Sequence, residues 1–247
     1  MEILRRLLST IWKIWFVLWF VIIALVSIPF FSVLLLNRKW LAAVLALQRV
    51  VSWLILFFGG IIVRKNYIID KKKLPHPCVY IANHTSYIDI MSSYLVIPGM
   101  FIFMAKAELK KAPFIRMFFK DFNVLVDRKS RKDSHRAYLQ VGERMDQGFS
   151  VYIFPEGTIS DEGKLKLFKN GAFKLAIDKQ VPIVPIVYTN NWRLLQNGGF
   201  FKSYGRPGIT EAIILPPVPT TGMTEENLVT LRDNVHQLFS ETLEKYK

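Results

Sequence analysis

The chain has 247 residues, 51% of them hydrophobic, with a net charge of +14 and a mean hydropathy of +0.25. That length suits one α/β domain with an appendage, and that hydropathy excludes a protein whose every face meets water. Residues 1–63 hold six Lys/Arg against Glu2 and the rest holds 27 against 18, so the parts carry +5 and +9; an anionic partner suits both, no RNA- or DNA-binding motif occurs, and the N-terminal Trp cluster points to lipid. The single cysteine, Cys78, rules out a disulfide or a Cys-based zinc site within one chain and suits a reducing, cytosolic setting.

From the N-terminus, residues 14–36 carry no charge, long enough for a bilayer-crossing helix, for which about 20 apolar residues suffice. Residues 50–63 form a second uncharged run, short for a full crossing. Five of the six tryptophans precede residue 54. Trp12, Trp15 and Trp19 share one helix face, and such amphipathic rings favour the headgroup level. Arg5, Arg6 and Lys13 precede the first run, Arg38 and Lys39 separate the two, and Arg64 and Lys65 follow. Two arrangements fit: a helical hairpin sunk into one leaflet, or two full spans with Arg38 and Lys39 on the far side. Ser27 and Pro29, read as interrupting the first run, and the shortness of the second favour the hairpin. The apolar stretch exceeds a signal-peptide core and lacks a clear cleavage site. The expected division is a membrane-associating hairpin over 1–63 and a globular domain over 64–247.

Beyond the hairpin, short apolar runs alternate with helical patterns. Strands are expected at Cys78–Ala82, Phe101–Met104, Val124–Val126, Val151–Phe154, Ile183–Val187 and Ala212–Leu215, with helices near 87–96, 113–121, 133–147 and 170–179. The pattern predicts an α/β fold, a mixed sheet covered by helices. Leu228, Leu231, Val235, Leu238 and Phe239 mark a closing helix over 225–246, with Thr224 as N-cap.

The stretch Asn83-His84-Thr85-Ser86-Tyr87-Ile88-Asp89 pairs an imidazole with a carboxylate at the exit of an apolar run. In an unbroken helix positions i and i+5 diverge by about 140°, so His84 belongs to the turn before the helix and Asp89 to its first turn, reaching back. Asp89 could then accept Nδ1–H of His84 and leave Nε2 free to take a proton. Ser86-x-x-Asp89 also matches a capping box, in which the acid only satisfies a helix-end N–H. Lys106 follows one strand and Arg128 another, so both cations are placed on the rim where open α/β sheets bind ligands; solvated charge is the plain alternative. Phe154-Pro155-Glu156-Gly157-Thr158 ends a further strand, where Pro155 and Gly157 force a turn expected to aim Glu156 and the Thr158 hydroxyl outward; a structural turn is the alternative there.

Asn83-His84 through Asp89, followed about seventy residues later by Phe154-Pro155-Glu156-Gly157-Thr158, resembles the glycerolipid acyltransferase family, and within it most the 1-acyl-sn-glycerol-3-phosphate acyltransferases. The resemblance runs from about Val63 to Pro217. It implies an acyltransferase domain in which His84 is the general base and Asp89 its orienter. By the same resemblance Lys106, Arg128, Glu156, Gly157 and Thr158 bind the substrate phosphate, and Val181-Pro182-Ile183-Val184-Pro185 shapes an acyl tunnel. Lysophosphatidate is the implied acceptor, acyl-CoA or acyl carrier protein the donor, and the cytoplasmic face of a membrane (the inner one in a bacterium) the location. The scheme needs no metal or cofactor. Relatives often carry Arg after the Glu-Gly-Thr where this chain has Ile159, so Lys164, Lys166 or Lys169 would have to supply that charge, or the acceptor differs. Glycerol 3-phosphate, another lysophospholipid, or non-catalytic binding of anionic lipid remain the alternatives. No Walker loop, G-x-S-x-G, H-E-x-x-H or G-x-G-x-x-G occurs.

Overall fold

The computed structural model describes residues 1–108, 123–127, 130–160 and 163–246. The chain opens with a helical hairpin, α1 (Glu2–Leu34) and α2 (Leu41–Phe58), joined through a 3-10 turn at Arg38–Trp40. Seven strands follow: β1 (Ile61–Tyr67), β2 (Val79–Ala82), β3 (Phe101–Lys106), β4 (Val124–Val126), β5 (Ser150–Ile153), β6 (Ile183–Tyr188) and β7 (Gly208–Ile214). Between and after them lie α3 (Ile88–Val96), α4 (Arg131–Asp146), α5 (Gly171–Asp178), the short α6 (Asn191–Leu194) and α7 (Leu228–Lys245). The helix expected at 113–121 lies outside the described residues.

The strands form one mixed sheet in the order β1-β7-β6-β2-β5-β3-β4, the α/β architecture expected. From β6 to β4 every neighbouring pair is parallel, while β7 runs antiparallel to β6 and carries β1 parallel to itself. Strands β2, β5 and β6 are buried along their whole length, which is why they read as unbroken apolar runs. The strand β1 was not among those expected: its second half contains Arg64, Lys65 and Asn66, charged and polar groups that an edge strand carries because one side has no partner.

The reversal at β7 positions the site. The C-terminal ends of β2, β3, β5 and β6 share one rim, and the starts of β7 and β1 come to that same rim. The C-terminus of α2 is thereby delivered to it through Gly59 and Gly60. Gly60 takes φ +68, and a Cβ there would meet Pro207 at 2.9 Å, so a glycine suits this turn.

The hairpin is antiparallel. The indoles of Trp12 and Trp15 donate to the carbonyls of Gly59 (3.0 Å) and Phe58 (2.8 Å), and Trp19 stacks on Phe58 with centroids 4.1 Å apart. Three rings expected to share a face therefore do so, closing the exposed carbonyls at the end of α2. Ser27 and Pro29 do not interrupt the first helix: α1 runs through both, with the Ser27 hydroxyl donating to the Ala24 carbonyl at 2.8 Å. Both helices are long and apolar enough to cross a membrane. Along α1 the outward side chains Leu4, Leu8, Ile11, Leu18, Val21, Leu25, Val26 and Phe30 are exposed, an apolar surface far larger than water-soluble proteins tolerate. The inward face is core: Phe16, Phe31, Val51, Ile55 and Leu56 cluster with Ile88 of α3 and Leu194 of α6. Lys13, a flanking charge by sequence, is 3% exposed and donates to the carbonyls of Phe200 and Ser203.

Candidate active site

Between β2 and α3 the chain makes one turn, fixed by four hydrogen bonds and a ring stack. The Asn83 side chain donates to the Tyr188 carbonyl and accepts its N–H, each at 2.8 Å, tying the end of β2 to the end of β6. The His84 carbonyl accepts Ser160 N–H at 2.7 Å. The His84 N–H donates to Glu156 Oε1 at 2.8 Å. The His84 ring stacks on Phe154, with centroids 3.8 Å apart and planes 13° from parallel.

Held in this way, His84 Nδ1 lies 3.0 Å from Asp89 Oδ2, with side-chain exposures of 12% and 0%. The imidazole is reachable and its partner is not. The same Oδ2 accepts the N–H groups of Thr85 (2.6 Å) and Ser86 (2.9 Å), so the two sequence readings of Asp89 coexist: it satisfies N–H groups at the start of α3 and also faces the imidazole. Carboxylate charge at a helix N-terminus is stabilised there. Its other oxygen, Oδ1, accepts the side-chain amide of Asn191 at 2.6 Å, and the Thr210 hydroxyl donates to Asn191 Oδ1.

Glu156 departs from the expected outward pose. It is 4% exposed, with Oε1 on His84 N–H and Oε2 on Lys166 N–H at 3.2 Å. The turn does point Thr158 to solvent, but Glu156 folds under it because two buried N–H groups need an acceptor. Burial pushes its carboxyl up to about 7, opposed by those two N–H groups and reinforced by the charge of Asp89. Gly157 has φ +80, and a Cβ there would meet Lys169 Nζ at 2.9 Å. Lys166 Nζ donates to the Ile159 carbonyl at 2.9 Å and to Thr158 Oγ1 at 3.3 Å. Two ammonium groups thus lie over the Gly157–Ile159 turn. Lys106 is the last residue of β3; Arg128 lies outside the described residues.

A cavity of about 480 Å³ opens between the hairpin and α3, lined by Phe16 and Phe20 of α1, Val51 of α2, Met91 and Tyr94 of α3, and Phe200. None of residues 181–185, expected to wall an acyl tunnel, lines it. Ile183 and Val184 are instead fully buried inside the sheet between β2 and β7. Sequence reasoning also missed Asn191, although a polar Asn190-Asn191 pair just after a wholly apolar strand is the signal that singled out His84 and Glu156.

The fold and this rim place an imidazole–carboxylate pair at the strand ends of an α/β sheet, beside an apolar hairpin. The Acyltransferase family model matches residues 64–189, and this chain belongs to that family. It is similar to the human 1-acyl-sn-glycerol-3-phosphate acyltransferase beta, 30% identical over 78% of this chain and 70% of that protein. The human alpha enzyme is 35% identical over 64% of this chain and 56% of its own length. A Haemophilus influenzae 1-acyl-sn-glycerol-3-phosphate acyltransferase is 28% identical over 70% and 71%. The crystal structure of the Thermotoga maritima 1-acyl-sn-glycerophosphate (LPA) acyltransferase, PlsC, superimposes with a TM-score of 0.76 at 25% identity, covering 100% of this chain and 98% of that one.

Proposed function

We propose that this protein is a membrane-bound 1-acyl-sn-glycerol-3-phosphate O-acyltransferase. It moves a fatty acyl group from acyl-CoA or acyl carrier protein to the sn-2 hydroxyl of lysophosphatidate, giving phosphatidate in phospholipid synthesis. The observation that carries this reading is the His84–Asp89 contact of 3.0 Å, with Asp89 wholly buried, in a chain whose relatives bear that activity in their names.

With Asp89 on Nδ1, His84 Nε2 takes the sn-2 hydroxyl proton as that oxygen attacks the thioester carbonyl. The imidazolium so formed is stabilised by Asp89. When the tetrahedral adduct collapses, the C–S bond breaks and the thiolate leaves with the proton from Nε2, so base and thiol are both restored. A positioned base supplies roughly 10²- to 10⁴-fold; placement of two substrates at the rim supplies much of the rest. The acceptor phosphate lies against the Gly157–Ile159 turn, where Lys166 and Lys169 provide positive charge that Ile159 lacks, with Lys106 and Arg128 completing the site. Glu156 serves by hooking the His84 turn to the Lys166 segment, not by touching the phosphate. An acyl chain occupies the apolar cavity beside α3.

The hairpin sits in one leaflet on the cytoplasmic side. Its N-terminal end is held by the 199–205 segment, its C-terminal end enters β1, and α2 packs on α3, so both ends stay with the catalytic domain. Thiol release in vesicles, offered lysophosphatidate, glycerol 3-phosphate and lysophosphatidylcholine separately with acyl-CoA and then acyl carrier protein, tests the reading. Release with lysophosphatidate alone, lost in His84→Ala, is the expected result; undiminished turnover in that variant removes the mechanism.

A further inference from the structure

We propose that Asn191 is a positioning residue for acyl transfer, its amide fixing the rotation of the Asp89 carboxylate so that Oδ2 stays on His84. This rests on the reading of His84 as base. A carboxylate turns about its last side-chain bond with little intrinsic preference, so something must hold its plane at the angle that keeps one oxygen on the imidazole. Oδ2 is occupied by Thr85 N–H, Ser86 N–H and His84. Among the described residues, the one hydrogen bond that reaches Oδ1 comes from Asn191 Nδ2, at 2.6 Å.

The amide is itself locked. An ionised carboxylate only accepts, so Asn191 must turn its NH₂ to Asp89 and its carbonyl away. That carbonyl receives the hydroxyl of Thr210. Asp89, Asn191 and Thr210 are each 0% exposed, so no water competes for these bonds. Their backbones come from three elements: Asp89 from α3, Asn191 from α6 after β6, and Thr210 from β7. Only the antiparallel placement of β7 brings Thr210 to the rim. The α6 turn is in turn anchored by Leu194, packed with Phe16 and Ile88, and by Arg206 N–H on the Leu194 carbonyl at 2.8 Å. The directed chain Thr210, Asn191, Asp89, His84 is thus a rigid support reaching the imidazole along the rim from β7.

The test uses the full chain in vesicles with lysophosphatidate and whichever of acyl-CoA or acyl carrier protein the wild type accepts. It compares Asn191→Ala, Thr210→Val, Thr210→Ser and His84→Ala, with thermal unfolding followed for each. Asn191→Ala is expected to lower kcat about 10²-fold, the scale of a misplaced reacting group, while KM for both substrates holds. Thr210→Val gives a smaller loss of the same kind, and Thr210→Ser, which keeps the hydroxyl, recovers most of it. Wild-type kcat in Asn191→Ala overturns the proposal, as does a KM that worsens in step with kcat. Should Asn191→Ala fail to fold, the Thr210 pair decides: Ser no better than Val also overturns it. His84→Ala separates the two claims. If that variant still turns over, the base reading falls; if it is silent while Asn191→Ala runs at full rate, only the positioning role falls.

Discussion

Glu156→Gln converts the burial of one carboxyl into a measurable pH dependence of stability. In the folded chain this carboxyl is pushed from 4.5 up to about 7 by burial, while in the unfolded chain it titrates near its ordinary value. Between those two pH values the folded state holds a proton that the unfolded state has released. Stability from this group is therefore highest below pH 4.5, falls as the pH rises to about 7, and is level above. At about 1.4 kcal/mol per pH unit the fall is about 3 kcal/mol. The amide of Gln has nearly the same shape and does not titrate; its carbonyl accepts one of the two backbone N–H groups and its NH₂ cannot accept the other, a loss that is the same at every pH and leaves the slope to the wild type. For a chain of this size 1 kcal/mol moves Tm by about 2–4 °C, so the variant should gain roughly 6–12 °C on the wild type between pH 4 and pH 8. Circular dichroism melts in detergent at both pH values measure it. Parallel Tm-against-pH curves, or a wild type that gains on the variant as pH rises, would refute the argument. Activity should move the opposite way: an amide accepts one N–H where the carboxylate accepts two, so either His84 or Lys166 is unhooked and kcat falls.

Two further outcomes follow from the same geometry. Lys166→Ala removes the ammonium on Thr158 and Ile159; a lost charge-assisted bond of about 1.5 kcal/mol predicts a roughly tenfold rise in KM for lysophosphatidate. KM for a phosphate-free monoacylglycerol should not change, and an equal rise there would assign Lys166 to loop structure alone. Ala24→Phe places a ring in the cavity beside α3, so acyl preference should shift to shorter chains. At about 0.8 kcal/mol per buried methylene, each carbon excluded is worth about fourfold in relative kcat/KM; a chain-length series with an unshifted optimum would show that the cavity holds no acyl chain.

By itself the sequence determined whatever depends on neighbours along the chain. The runs at 78–82, 183–187 and 151–154 announce buried strands because both faces of each are covered, which leaves no polar position to confuse the pattern. His84 and Asp89 were legible as a pair because five residues across a strand-to-helix turn leave little freedom. The apolar character of α1 and α2 was equally plain, since composition alone decides what such surfaces can face. Pro29 misled there: within an apolar helix packed along one face, the loss of one N–H is outweighed by the contacts of the turns on either side.

Only the tertiary structure decided what depends on which strands adjoin. Nothing local marks β7 as antiparallel, yet that reversal brings Thr210 and the end of α2 to the rim that carries His84. Asn191 meets Asp89 across a sequence separation of 102 residues, Ser9 meets Gly205 across 196, and Lys13 is turned inward by carbonyls near residue 200. Glu156 likewise reads as an outward acid from its turn, and two backbone N–H groups, one from residue 84 and one from residue 166, hold it buried instead. The reason is the same in each case: a hydrogen bond made by a buried polar group is chosen by whichever partner the packed sheet leaves within about 3 Å, and residue spacing holds no record of that distance.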